Sequence, residues 1–456
     1  MKKLLLLLYV LTLLTAGLFA QSITLEQVRS MALANSRSLA RLNLSVQSTD
    51  LNEKDRIYTY FVPTPSLGAS ASISLWNPTG AGPLNNPFDT FNARGSFSVS
   101  QAIFQGGKAL VQKAINEIAS ESARKDALAE YFNVLDSADS AYYTVLESAA
   151  YLDAAESALQ NSIASLNIAE VRHTNGMINQ ADYLQALADK ESKENSRNQA
   201  RRALALNTSK LKSLIGAADN PQPEEIDFSG YEDLIQRLGN TTDENFDSLY
   251  NQLYTQVSAA NPSLSKYMLA TKMADENVKM SQRGYSPTVS MSFSTGLNYN
   301  PSNSNAAITG YGSGLKQTGG SLSLGVNIPL DFWSIENSVA KNKIAQKQAA
   351  LDFASATDQT ETDLQSDLIS ALSNAETVIS SRRAYDYAEK NFELIQEGYR
   401  LNKNSITDLT TASALLFTNR SSLISSQYGF LQSLSTLRSL GAIDDEQKLI
   451  KTLMGN

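Results

Sequence analysis

The chain has 456 residues, a formal net charge of −8, 18% charged residues and no cysteine. The absence of thiols excludes disulfides, an acylated N-terminal cysteine and every thiolate metal site. The negative charge argues against nucleic acid as a partner.

The N-terminus sets the compartment. Lys2 and Lys3 precede an apolar run from Leu4 to Leu14, then small and apolar residues up to Ala20. That order reads as a secretory signal peptide over residues 1–20, cut before Gln21. The run is short for crossing about 30 Å of hydrocarbon, and no later stretch approaches the roughly 20 apolar residues of a transmembrane helix. A mature chain that enters a membrane must then do so as a closed β-barrel.

Two strands come next. Leu67, Ala69, Ala71, Ile73 and Leu75 alternate with Ser66, Gly68, Ser70, Ser72 and Ser74. Phe91, Ala93, Gly95, Phe97 and Val99 alternate with Asn92, Arg94, Ser96, Ser98 and Ser100. Each run is about the ten residues of a tilted membrane strand, with one apolar face and one small, polar face. The loop at 77–90 is rich in Pro, Gly and Asn, as an extracellular loop would be.

Proline placement marks the helices. None of the eleven prolines lies between Gly107 and Gly216, and none follows Pro329, so both spans can be long helices. In the first span Leu128, Tyr131, Leu135, Ala138, Tyr142, Val145, Ala149 and Leu152 follow a three-four spacing, resumed by Leu159, Ile163 and Leu166. That period predicts a coiled-coil seam, and its Ala and Ser positions allow close helix approach. A helix of about 65 residues is about 100 Å long, beyond any compact domain. The span breaks once, where Gly176 suits the left-handed conformation, Asn179 can cap the next helix and Asp182 falls in its first turn.

Residues 217–245 are acidic and irregular, with Pro221 and Pro223, and read as a linker or side element. The plan then repeats. Val289, Met291, Phe293, Thr295, Leu297 and Tyr299 alternate with Ser290, Ser292, Ser294, Gly296 and Asn298. Leu322, Leu324, Val326, Ile328 and Leu330 alternate with Ser321, Ser323, Gly325, Asn327 and Pro329, after a polar loop at 300–318. The second long span carries Leu364, Leu368, Ala371, Ala375, Val378, Tyr385 and Phe392 on one stripe. It breaks at Asn402, with Ser405 as cap and Asp408 in the next first turn, about 226 residues after the first break. Four strands cannot close a barrel, and an open edge in lipid leaves backbone groups unsatisfied. Several chains must therefore share one barrel.

This layout resembles the TolC-like outer membrane efflux proteins over nearly all of the chain after Gln21. The most specific stretches are Ala102, Ile103, Phe104, Gln105, Gly106 and Gly107 after the second strand, the turn from Gly176 to Asp182, and the turn from Asn402 to Asp408 and Leu409. Pro329, Leu330, Asp331 and Phe332 look like the second copy's strand exit. The resemblance implies a mixed α and β fold: an antiparallel coiled-coil tunnel, an equatorial belt and four membrane strands per chain in a twelve-stranded barrel shared by a homotrimer, built by tandem duplication. Its divisions are a signal peptide (1–20), a first repeat (21–216, hairpin 66–104), an equatorial linker (217–245), a second repeat (246–440, hairpin 287–331) and an equatorial tail (441–456).

The expected function is a passive exit duct in the outer membrane, with the tunnel in the periplasm. The resemblance implies a periplasmic adaptor (membrane fusion) protein, an inner-membrane efflux or type I secretion transporter and outer-membrane lipid as partners. Its site is a gate at the two turns, whose tips are Gly176 and Asn402. Asp182 matches a carboxylate of the closing network, Tyr399 its tyrosine, and Asp408 the first aspartate of a cation-selective entrance ring. Asn404 replaces an arginine of that network and Thr411 a second ring aspartate, so closure would rest on neutral hydrogen bonds and a single acidic ring. Loss of the Tyr399 hydroxyl is expected to raise basal conductance. His173 occupies the position matching Tyr399 and reads as a polar tip residue.

No enzyme is expected, and no metal or cofactor. Lys108 after Gly106 and Gly107 lacks the P-loop spacing, and no nucleophile elbow, zinc helix or dinucleotide fingerprint occurs. The alternatives are a non-channel trimeric helical adhesin or scaffold and, third, a soluble periplasmic enzyme. The serine-faced strands speak against the adhesin or scaffold.

Overall fold

Serines and apolar residues alternate along four strands, and antiparallel pairing sorts them onto two faces. In the computed structural model, which describes residues 22–73, 91–299 and 315–454, the strands are β1 (Thr64–Ile73), β2 (Phe91–Gln105), β3 (Thr288–Tyr299) and β4 (Leu315–Asn327). The signal peptide, Ser74, Leu75, the loop at 77–90 and the second loop up to 314 lie outside the described residues. The helices are α1 (Leu25–Asn35), α2 (Arg37–Phe61), α3 (Lys108–Thr174), α4 (Gln180–Ile215), α5 (Glu232–Gly239), α6 (Asp243–Ala260), α7 (Pro262–Gln282), α8 (Phe332–Arg400), α9 (Ile406–Leu440) and α10 (Glu446–Met454). None of them, among the described residues, is long and apolar enough to cross a membrane. The chain divides into two units, one of residues 43–124 and 266–354, the other of the remainder.

The smaller unit holds an open antiparallel sheet in the order β1-β2-β3-β4. Its register pairs Leu67 with Phe97, Val99 with Phe293 and Met291 with Leu324, so apolar side chains share one face. On the other face Ser66 meets Ser98, Ser98 meets Ser294 and Ser294 meets Ser321. Hydroxyl pairs cross this face at 2.6 Å (Ser66 and Ser98), 2.8 Å (Ser292 and Ser323) and 2.9 Å (Ser294 and Ser321). Register shifts fall between Ala102 and Phe104 and between Ser294 and Gly296.

Two boundaries differ from the sequence reading. The first ladder begins at Thr64, two residues early. The last ends at Asn327, short of Leu330, because Pro329 has no N–H to donate to a ladder. At the exit of β2, Gly106 (φ +63°) and Gly107 (φ +78°) reverse the chain into α3. A Cβ on Gly106 would lie 2.2 Å from Ser286 Cβ, so both its backbone angle and its neighbour require glycine.

The larger unit is a helical core. Helices α3 and α8 have 67 and 69 residues, about 100 Å each at 1.5 Å per residue. Leu364, Leu368, Ala371, Ala375 and Val378 of α8 are fully buried, against Val134, Ala138 and Tyr142 of α3 and Phe430, Leu431 and Leu434 of α9 in one cluster. The expected stripe is followed only in part. Leu128 is 38% exposed, and Tyr385 is half-buried and donates to Glu389 at 2.7 Å. Beyond Leu152 the buried line of α3 runs through Ala154, Ala158, Ser162, Ser165 and Ala169, while Ile163 and Leu166 are half-buried. Small residues occupy the line because they let helices approach closely.

Residues 217–245 are more than a linker. Ile23 pairs with Pro223 in a parallel bridge, Tyr142 donates its hydroxyl to the Glu224 carbonyl at 2.8 Å, and α5 buries Leu234, Ile235 and Leu238 in the core. The division drawn at 245 falls inside α6, which starts at Asp243. At the C-terminus α10 buries Leu449 and Leu453 in the same core.

Three carboxyls, Asp136, Asp363 and Asp367, line a cavity of about 310 Å³ in this unit. Burial pushes the Asp367 carboxyl up to about 6, and the charges of Asp363 and Asp136 add to the shift. Its folded-state value lies above the ordinary 3.8, so the fold holds this proton more tightly than the unfolded chain does. Stability should therefore fall as pH rises from about 4 to about 6. Asp367→Asn is expected to flatten that slope and to stabilise the fold at pH 7 by about 1 kcal/mol after solvent screening. Melting temperatures measured at pH 4, 5, 6 and 7 check it; an unchanged slope in the variant would refute it.

Candidate gate at the helix turns

Both long helices end in the same way. At the end of α3, Gly176 has φ +70°, its N–H donates to the His173 carbonyl at 3.0 Å and Met177 N–H donates to the Arg172 carbonyl at 2.8 Å. At the end of α8, Asn402 has φ +60°, with Asn402 N–H to the Tyr399 carbonyl at 3.0 Å and Lys403 N–H to the Gly398 carbonyl at 2.7 Å. Left-handed residues close helices this way because the reversal satisfies carbonyls that the helix leaves free.

The next helices are capped at once. Asn179 Oδ1 accepts from Asp182 N–H at 2.8 Å. Ser405 and Asp408 form a reciprocal capping box: Ser405 Oγ accepts from Asp408 N–H at 3.1 Å, while Asp408 Oδ2 accepts from the N–H of Ser405 at 2.9 Å and from its hydroxyl at 2.7 Å. The backbone N–H and hydroxyl of Ser405 hold the exposed Asp408 carboxyl below its ordinary value. Asp408 thus presents a charged carboxylate at the start of α9.

A small core fills the space beneath the turns, built from Ala169, Ala186, Phe392, Tyr399, Ile406, Leu409 and Ala412. Tyr399 is 1% exposed, and its hydroxyl has no hydrogen-bond partner. Burial raises its pKa; the Arg172 charge opposes that and the Asp182 charge adds to it. Asp182 and Tyr399 are therefore near enough to interact electrostatically, but no hydrogen bond joins them among the described residues.

Asn404 tucks against Gly398, where a Cβ would lie 1.8 Å from Asn404 Oδ1, and its N–H reaches the Gly398 carbonyl at 3.3 Å. Thr411 is exposed on α9. His173 stacks on Tyr183 with ring centres 5.1 Å apart. Gln185 of α4 bridges to α9, accepting from Thr407 Oγ1 at 3.3 Å and donating to Thr410 Oγ1 at 3.5 Å. No cluster of three metal-ligating side chains occurs among the described residues.

Sequence reading passed over Arg172. It is 8% exposed, its guanidinium carbon lies 4.5 Å from the centre of the Tyr399 ring, and its Nη2 donates to the carbonyls of Tyr399 and, at 3.3 Å, Arg400. The only local signal was a basic residue in the last turn of α3, which a helix dipole alone explains.

Comparison with known proteins fits this geometry. The profile of the outer membrane efflux protein family matches residues 28–217 and 253–442. Outer membrane protein TolC of Escherichia coli (strain K12) is 24% identical over 334 residues, 70% of this chain and 61% of that protein. Its counterpart in Salmonella enteritidis is 27% identical over 210 residues, 44% of this chain and 41% of that protein. The chain thus aligns with less than two thirds of either relative's length. Among solved structures, CusC superposes with a TM-score of 0.72 at 15% identity, over 93% of this chain and 95% of CusC. VceC of Vibrio cholerae superposes with a TM-score of 0.69 at 16% identity, over 91% and 96%. At that identity the superpositions establish the fold alone. With the profile covering both halves, the chain belongs to the outer membrane efflux protein family.

Proposed function

We propose that this protein is the exit duct of a tripartite efflux or type I secretion system. Three copies share one twelve-stranded barrel in the outer membrane, and their long helices form a tunnel in the periplasm. The duct is passive and not an enzyme. A periplasmic adaptor docks on it, and an inner-membrane transporter supplies the energy.

The observation that carries this reading is the open sheet. Its outer strands β1 and β4 each have one neighbour, and one face is apolar while the other is a serine ladder. Lipid would not tolerate the open edges, so strands of further copies must complete the ring. Serines then face the water-filled lumen and apolar side chains face lipid. At the periplasmic end three copies of Asp408 form an acidic ring.

Mass measurement of the detergent-solubilised protein, followed by conductance in planar bilayers, tests this. A conducting trimer is expected; a monomer without conductance would overturn the reading, and a non-conducting trimer would favour a helical surface scaffold. The ring has its own test. Asp408→Ala is expected to weaken block of the pore by trivalent cations about tenfold or more, the loss of one charge per copy in a narrow site. Unchanged block would remove Asp408 from the entrance.

A further inference from the structure

The tip has one buried cation, and it does not come from the position where the resemblance expects an arginine. Asn404 stands there, neutral and folded against Gly398. Arg172 instead arrives from the end of α3 and grips the end of α8 in two ways. Its charge lies over the Tyr399 ring, and its Nη2 donates to two carbonyls of the last turn. Those carbonyls carry the negative end of the α8 dipole, so a guanidinium is favoured there over any neutral donor. Tyr399 contributes a ring and a backbone oxygen, since its buried hydroxyl bonds to nothing.

We propose that Arg172 is the positioning residue that holds the tip closed, clamping Tyr399 by its ring face and its carbonyl while the phenol hydroxyl is dispensable. This rests on reading the two turns as a gate. A buried clamp at 8% exposure is poorly screened, so breaking it exposes a guanidinium and frees two carbonyls together. The clamp also joins α3 to α8 across 227 residues of sequence, so neither helix end can move without the other.

The test is basal conductance of the full-length trimer in planar bilayers, alongside trimer mass and melting temperature. Arg172→Gln should raise the open fraction about tenfold, the loss of charged hydrogen bonds and a cation–π contact. Arg172→Lys should recover part of the closure, because an ammonium keeps the charge over the ring but lacks the planar fork. Tyr399→Phe should stay within about twofold of the parent, and Tyr399→Leu should open the pore as Arg172→Gln does. In the double variant Arg172→Gln, Tyr399→Leu the two effects should not add, since both remove one contact. The Lys variant covers the case in which Arg172→Gln fails to fold.

Two results would overturn the clamp. One is an open fraction in Tyr399→Phe as high as in Arg172→Gln, which would return the latch to the hydroxyl. The other is a silent Arg172→Gln in a protein where Asp408→Ala still relieves cation block, so that the gate stands and the clamp does not. Absence of conductance in every variant and in the parent would instead refute the channel reading and the clamp with it.

Discussion

Asp139→Ala is expected to destabilise the helical core by about 3–5 kcal/mol, the range for removing one partner of a buried ionic cluster. Asp139 is fully buried. Its Oδ1 accepts from Arg29 Nε at 2.6 Å, and its Oδ2 accepts from Arg29 Nη2, Arg438 Nη2 and Ser435 Oγ, each at 2.8 Å. One carboxylate thus answers two guanidinium groups from α1 and α9.

Loss of that carboxylate has unequal effects on the two cations. Arg29 keeps Glu446 at 3.2 Å, and Glu446 also accepts from the Tyr231 hydroxyl at 3.0 Å. Arg438 is 1% exposed, its Nε is already without a partner, and Asp139 is its one ion-pair partner among the described residues. An unpaired buried guanidinium is the main cost. Asp139→Asn keeps the shape and loses the charge, and should fall between the parent and the alanine variant. Thermal unfolding followed by helical circular dichroism measures both. A shift of under a degree in Asp139→Ala would show that the cluster is not a keystone.

Leu324→Arg is the second large effect. Leu324 lies on the apolar face of β4, opposite Met291, and is 67% exposed in the single chain. If that face meets lipid, an arginine near the bilayer midplane costs about 2–4 kcal/mol in each copy. Folding into outer-membrane vesicles should then fail or require milder denaturant to reverse. Ser323, one residue earlier, points to the other face and pairs with the Ser292 hydroxyl at 2.8 Å. Ser323→Arg should assemble, because its charge enters water, and should shift the pore toward anions. Equal loss of assembly in both variants would refute the assignment of faces.

Much of this architecture was legible because it is periodic. Proline-free spans predicted helices that formed at 67 and 69 residues, and alternation predicted the strands. Gly176 and Asn402 could be singled out as reversal points because few residue types suit a positive φ. Misreadings came where the signal was weak. Alanine and serine line the lower seam of α3, and their small side chains hardly register as an apolar stripe. Residues 217–245 looked irregular because α5 spans only eight residues, little more than two turns of period.

By itself, then, the sequence determined which segments are helix or strand, where each long helix reverses, and that four strands need help from other copies. These follow from steric limits and side-chain period, which act between near neighbours. Only the tertiary structure decided the partners. Asp139 finds Arg29 across 110 residues and Arg438 across 299, and Arg172 finds the Tyr399 carbonyl across 227. A buried ion pair has no required spacing in the chain, so no local pattern announces it. The tip shows the division most plainly. Sequence marked Tyr399 by its type, whereas packing showed that its hydroxyl is idle and that its ring sits beneath a cation from the other half of the chain.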